Sequence, residues 1–98
     1  MQFIIKAYDG PDMLEKRMEV RPAHLKGMAE LGRHILCAGG LTDENGKLRG
    51  SALIVDFDDE AAVRDYLAHE PYVTAGVWQD ITCEPLNVVL LNGEKYVK

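Results

Sequence analysis

Three histidines, the residue type best suited to proton transfer near neutral pH, are present: His24, His34 and His69. His34 and His69 fall at the expected ends of helical stretches, where an imidazolium favours the negative end of the helix dipole. His24 is placed differently. It opens the second half of a long helical stretch, one turn before Met28 and two before Leu31, at the margin of the apolar stripe. A histidine there is either a half-buried packing residue or a base. A base needs an orienting acid, and Glu70 is the candidate, because Pro71 restricts its backbone just where the second helical stretch ends. A carboxylate that accepts from one imidazole nitrogen fixes the tautomer and leaves the other nitrogen to take a proton. Four further residues form the candidate substrate-binding set: Arg21, Gly40, Ser51 and Tyr72. Arg21, one turn before His24, can grip a substrate carboxylate or pair with a nearby glutamate. Ser51 is a ligand donor or a strand hydroxyl. Gly39 and Gly40 either relieve packing or open space and backbone N–H groups for an anion. Tyr72 and Trp78 suit a core, an interface or a pocket wall.

The elements that must position these groups follow from the apolar pattern. Gln2–Tyr8 reads as a strand ending at the turn signal Asp9-Gly10-Pro11. Residues 12–33 read as helix, with Pro22 marking a kink or a restart and Leu25, Met28, Ala29 and Gly32 sharing one face. Ile35–Leu41 is a strand, and Asn45-Gly46 signals a hairpin into the strand Gly50–Phe57. Asp58 or Asp59 caps a second helix whose apolar side is Ala62, Val63, Tyr66 and Leu67. A last strand region runs from Trp78 to Leu91, interrupted by Pro85. The order βαββαβ is the split βαβ arrangement called ferredoxin-like, an α+β fold with a four-stranded antiparallel sheet. Right-handed crossovers put both helices on one face of that sheet. The same topology lets the first helix and the segment after the second one meet beside the same strand ends, so His24 can approach Glu70.

Composition narrows the rest. The chain has 98 residues, 47% hydrophobic and 28% charged, which suits one domain over residues 1–98. Its net charge of −5 and scattered basic residues argue against a nucleic-acid partner. There is no apolar run long enough for a membrane span, and the N-terminus does not read as a signal peptide, so a cytoplasmic protein is expected. Cys37 and Cys83 lie in apolar strand stretches and read as small buried hydrophobes rather than a disulfide. Within each strand the side chains alternate: Ser51, Leu53, Val55 and Phe57 oppose Ala52, Ile54 and Asp56, Phe3, Ile5 and Ala7 oppose Ile4, Lys6 and Tyr8, and in "NVVLL" at 87–91 Val88 and Leu90 oppose Val89 and Leu91. Both faces are substantially apolar, yet two helices cover only one, so a homodimer packed sheet to sheet is expected. No metal-ligand cluster, P-loop or dinucleotide fingerprint is present, and no cofactor is expected.

Three stretches carry a family likeness: Arg21-Pro22-Ala23-His24-Leu25, "CAGGLTDENGKLRGS" at 37–51, and "EPYVTAGVW" at 70–78. With them the chain, from its first strand to about Val88, resembles the YCII-related (YciI-like) family, a branch of the dimeric α+β barrel group. That family's pattern is Arg-x-x-His-Leu, a glycine-rich second strand, Gly-Ser opening the third strand, and Asp-Pro-Phe/Tyr after the second helix. The chain matches at Arg21, His24, Leu25, Gly39, Gly40, Gly50 and Ser51, and departs at Glu70, where the family usually has aspartate. The resemblance implies a histidine–acid pair in a pocket near the dimer interface, with His24 as base and Glu70 as its orienting acid. Glutamate's extra methylene displaces its oxygens by roughly 1.5 Å, against a tolerance near 0.5 Å for a preorganised pair. Two functions stay open: a cofactor-independent isomerase or lyase acting on a small polar or aromatic substrate, and a non-catalytic dimeric module that binds a small molecule or a protein domain.

Overall fold

The computed structural model describes residues 1–97. Its elements are β1 (Gln2–Asp9), α1 (Leu14–Leu31), a tight helical turn at Gly32–His34, β2 (Ile35–Thr42), β3 (Leu48–Asp56), α2 (Glu60–His69), α3 (Pro71–Thr74), β4 (Trp78–Leu86), β5 (Leu90–Leu91) and β6 (Glu94–Lys95). The four long strands form one antiparallel sheet in the order β2-β3-β1-β4. This is the expected βαββαβ, ferredoxin-like α+β architecture. None of the described helices is long and apolar enough to cross a membrane.

Strand alternation builds the core. Phe3, Ile5 and Ala7 of β1 sit opposite Val55, Leu53 and Ser51 of β3, and facing residues share a side of the sheet. Those side chains are buried with Val63 of α2, Tyr72 of α3 and Val77. The α2 face follows the expected pattern, with Val63 buried and Ala62, Tyr66 and Leu67 packed against the core. The Asp59 carboxylate caps α2 by accepting from Ala62 N–H at 2.9 Å.

The face of α1 is rotated from the one read in the sequence. Leu25 is 44% exposed, and Ala29 and Gly32 are exposed too. The inward stripe is Met13, Arg17, Val20, His24, Met28 and Leu31. Two of its members are polar, so the hydrophobic period hid them. Pro22 neither breaks nor restarts the helix; α1 is continuous through it. Proline leaves the Met18 carbonyl without its helical donor, and Met18 lies on the exposed side, where water serves instead.

The C-terminal strand also differs. β4 ends at Leu86, and Leu90–Leu91 belongs to a separate two-stranded hairpin with Glu94–Lys95. Asn92 and Gly93 join them with φ of 52° and 76°, the positive values a two-residue hairpin turn demands. The Asn-Gly signal was present here as it was at Asn45-Gly46. Pro85 stays inside β4, which among the described residues pairs only with β1 and so is an edge strand.

The sheet's open face is less uniformly apolar than the strand reading implied. Ile4, Tyr8, Ala52 and Ile54 lie there, but β4 places Asp80, Thr82 and Glu84 opposite Tyr8, Lys6 and Ile4. The "NVVLL" residues counted toward that face lie beyond β4. Cys37 and Cys83 are free and exposed rather than buried: each sits on an outer strand of the sheet, Cys37 opposite Ile54 and Cys83 opposite Ile5.

Two stability predictions arise from this frame. Gly50 passes so close to β1 that a Cβ would lie 2.4 Å from the Ala7 carbonyl oxygen. Gly50→Ala is expected to cost about 1–3 kcal/mol in urea unfolding, because the backbone of β1 must move. Asp56 is the second site. Burial pulls its carboxyl upward, but hydrogen bonds from Tyr96, the N-terminal ammonium and Gln2 outweigh it and hold the group at about 2. An unfolded aspartate titrates near 3.9. The depressed folded value therefore contributes stability that is fully present above about pH 4 and lost as pH falls to about 2. Asp56→Asn is expected to flatten the stability curve across that window, and an unchanged slope would discount the carboxylate.

Candidate active site

One cavity of about 180 Å³ lies between the middle of α1 and strands β2 and β3. Helix α1 supplies Arg17, Arg21, His24, Leu25 and Met28 to its wall; Gly40, Ser51 and Tyr72 come from β2, β3 and α3. Each arrives for a local reason. Ser51 shares the helix-facing side of β3 with Leu53 and Val55. A Cβ on Gly40 would run into Leu48 Cδ2 at 2.3 Å, so its missing side chain spares Leu48 and leaves the wall open. Tyr72 is held in α3, whose first residue is Pro71.

Glu70 joins α2 to α3 and serves both. Its backbone is extended, at φ −65° and ψ 126°, as the following proline requires. Its N–H closes the end of α2 on Leu67, and its Oε1 accepts from Tyr72 N–H at 3.2 Å at the start of α3. The same Oε1 lies 2.6 Å from His24 Nδ1. An ionised carboxylate can only accept, so Nδ1 carries the proton and donates. The longer acid reaches. Both side chains are buried, at 8% and 1% exposure for His24 and Glu70. His24 Nε2 has no partner among the described residues, yet it is not among the buried unpaired atoms, and His24 lines the cavity. That nitrogen is open to a ligand. The imidazole is stacked on Tyr72, with centroids 4.1 Å apart and planes at 19°, and meets Trp78 edge-on. Trp78 is core beneath the histidine and does not line the cavity.

Three further residues, Arg17, Asp9 and Tyr66, were not among the site candidates read from the sequence. Arg17 is 4% exposed. Its Nη1 donates to both oxygens of Asp9, at 2.9 and 3.1 Å, and its Nη2 donates to Ser51 Oγ at 2.8 Å. The guanidinium also lies 4.8 Å from the centre of the Tyr72 ring. Its Nε is buried without an acceptor among the described residues. Burial raises the Asp9 carboxyl above its ordinary value, and the Arg17 charge and hydrogen bond offset only part of that. Burial likewise raises the Tyr72 phenol, against the pull of Arg17 and Arg21. Tyr66 is the third residue, donating to Glu70 Oε2 at 2.7 Å. Burial first, and then the Glu70 charge and that hydrogen bond, push its phenol far up, so it stays protonated. A seven-residue step back along α1 from His24 would have found Arg17, and a four-residue step back along α2 from Glu70 would have found Tyr66.

The remaining candidates separate cleanly. Arg21 is exposed at the cavity and has no ion-pair partner among the described residues. His34 ends the helical turn after α1, as expected, and its Nδ1 bonds to the Asp56 carbonyl at 2.8 Å while its ring is stacked on Phe57, a structural role. His69 is exposed and bonds to the Asp65 carbonyl one turn back in α2. Among the described residues no cluster of histidine, cysteine and acidic side chains could hold a metal ion.

The fold places the chain among α+β proteins of ferredoxin-like topology. One solved structure superposes with a TM-score of 0.83 at 24% identity, over 89% of this chain and 94% of the other. It is the 5-chloro-2-hydroxyhydroquinone dehydrochlorinase of Burkholderia phenoliruptrix, in complex with 2,5-dihydroxybenzoquinone. An antibiotic biosynthesis monooxygenase fold aligns less closely, with a TM-score of 0.56 at 16% identity, over 91% of this chain and 98% of the other. In sequence, the YCII-related domain matches residues 1–87. Protein YciI of Escherichia coli is 37% identical, covering 91% of this chain and 99% of that protein. An uncharacterised protein of Haemophilus influenzae is also 37% identical with the same coverage. The chain belongs to the YCII-related family.

Proposed function

We propose that this chain, as one domain over residues 1–98, is a cofactor-independent enzyme of the isomerase or lyase type, in which His24 moves a proton on a small, oxygenated, anionic ring compound. The observation that carries the reading is the 2.6 Å bond from His24 Nδ1 to Glu70, with the opposite nitrogen open to a cavity. In the proposed step, Nε2 takes a proton from substrate while Nδ1–H stays on Glu70, whose charge stabilises the imidazolium that forms. The electron pair left behind either expels a leaving group or is reprotonated at another atom.

Size and charge support the substrate class. A cavity of about 180 Å³ is close to the roughly 150 Å³ that holds one benzene ring elsewhere. Arg21, without an ion-pair partner among the described residues, suits a phenolate or carboxylate, and Ser51 with Arg17 suits a second oxygen. Tyr72 would form the flat wall and Gly40 the open one. The dehydrochlorinase that shares the fold acts on a chlorinated hydroxyhydroquinone, which makes that compound the first to try.

The proposed protein works in the cytoplasm as a homodimer joined through the open sheet face, where Ile4, Ala52 and Ile54 are only half-covered. Sedimentation at micromolar concentration showing only monomer would remove the dimer. No nucleic-acid or membrane partner is proposed. The enzyme reading is tested by incubating the protein with 5-chloro-2-hydroxyhydroquinone, other single-ring phenols and small lactones, following absorbance and chloride release. Saturable turnover of any of them supports it. Binding seen by calorimetry, with turnover of none, would instead favour a non-catalytic binding module.

A further inference from the structure

We propose that Tyr66 is a positioning residue for His24: its hydroxyl pins Glu70 Oε2, so that Oε1 stays on the imidazole. The inference rests on the His24–Glu70 reading and deepens it. Glutamate has one more rotatable bond than the aspartate usual at this place in the family pattern, so its carboxylate needs a second tether to hold one orientation. The structure supplies one on each oxygen. Oε1 accepts from His24 Nδ1 at 2.6 Å and from Tyr72 N–H at 3.2 Å, while Oε2 accepts from Tyr66 at 2.7 Å.

Tyr66 is fit for the task on three counts. It stands one helical turn before Glu70, on the last turns of α2, so the rigid helix sets its distance from the acid. Its ring is stacked on Phe57 at 5.8 Å, which fixes where the hydroxyl points. Its phenol stays protonated beside the carboxylate, so it is always a donor. A second cavity, about 330 Å³ and lined by Leu31, Tyr66, Glu70 and Pro71, lies on this side of the acid. Without the hydroxyl, water from that cavity would take over Oε2 and the carboxylate would gain freedom to turn off His24.

The test is an NMR titration of His24, with nitrogen-15 shifts reporting its tautomer, in wild type, Glu70→Gln and Tyr66→Phe. Phenylalanine keeps the ring on Phe57 and removes only the oxygen, and an unchanged melting temperature would confirm that packing is retained. Glu70→Gln should lower the measured His24 pKa, since it removes an opposing charge in a buried site. Tyr66→Phe should lower it by less, in the same direction, and turn the single Nδ1-protonated tautomer into a mixture. Loss of packing alone would leave the tautomer single. If Glu70→Gln shifts His24 but Tyr66→Phe leaves pKa and tautomer unchanged, or raises the pKa, Tyr66 has no positioning role and the dyad stands. If neither variant moves His24, the dyad itself is refuted.

Discussion

Replacing Arg17 with methionine is expected to destabilise the fold by about 3–5 kcal/mol, the usual cost of leaving one member of a buried ion pair alone. The side chains of Arg17 and Asp9 are 5% and 6% exposed, and their two contacts at 2.9 and 3.1 Å are the pair's main compensation for lost water. Even with Arg17 present, burial holds the Asp9 carboxyl above its ordinary value. A raised folded value means that the native state binds its proton first, so stability at this site grows as pH falls through that value. Arg17→Met should raise it further. The loss should therefore be largest at pH 7 and shrink as the medium is acidified toward about pH 4, near the unfolded aspartate value. Asp9→Asn combined with Arg17→Met should recover most of the stability, because no charge is then stranded. Urea denaturation of the four proteins closes the cycle. A single Arg17→Met variant within about 1 kcal/mol of wild type would mean that the pair is solvated, as surface pairs are. Ser51 should respond as well, since Arg17 Nη2 holds its hydroxyl at 2.8 Å.

The second large effect concerns chemistry. His24→Gln is expected to lower kcat about 10²–10⁴-fold on whichever ring compound proves to be turned over, the range for loss of a positioned general base. Glutamine can still donate to Glu70, so α1 and α3 should remain docked and the melting temperature should change little. Arg21→Ala should act differently, raising KM more than it lowers kcat, because an exposed cation at the cavity contributes binding rather than proton transfer. A His24→Gln variant that keeps kcat within tenfold of wild type would end the assignment of His24 as base.

Much of this molecule could be read from the order of its residues. Alternation in β1 and β3 set which side chains of each strand share a face, because a strand's side-chain period is two whatever surrounds it. Glu70-Pro71 marked an extended residue at the end of α2 for an equally local reason, the clash of the proline ring with the preceding backbone. The family likeness rested on short stretches of the same kind. What local rules could not supply was the rotation of α1. Its buried stripe contains Arg17 and His24, so counting apolar residues turned the helix toward Leu25 and missed the arginine. Arg17 became part of the cavity only when Asp9, Ser51 and Tyr72, from three other parts of the chain, closed around it. Tyr66 was correctly read as part of the apolar side of α2, but its ring and its hydroxyl have separate partners. Whether glutamate could stand where aspartate is usual was likewise undecidable from composition. A carboxylate's reach is a matter of about 1.5 Å, roughly one carbon–carbon bond. That margin is set by how α1, α2 and α3 pack, and the packing brings Glu70 to 2.6 Å from His24.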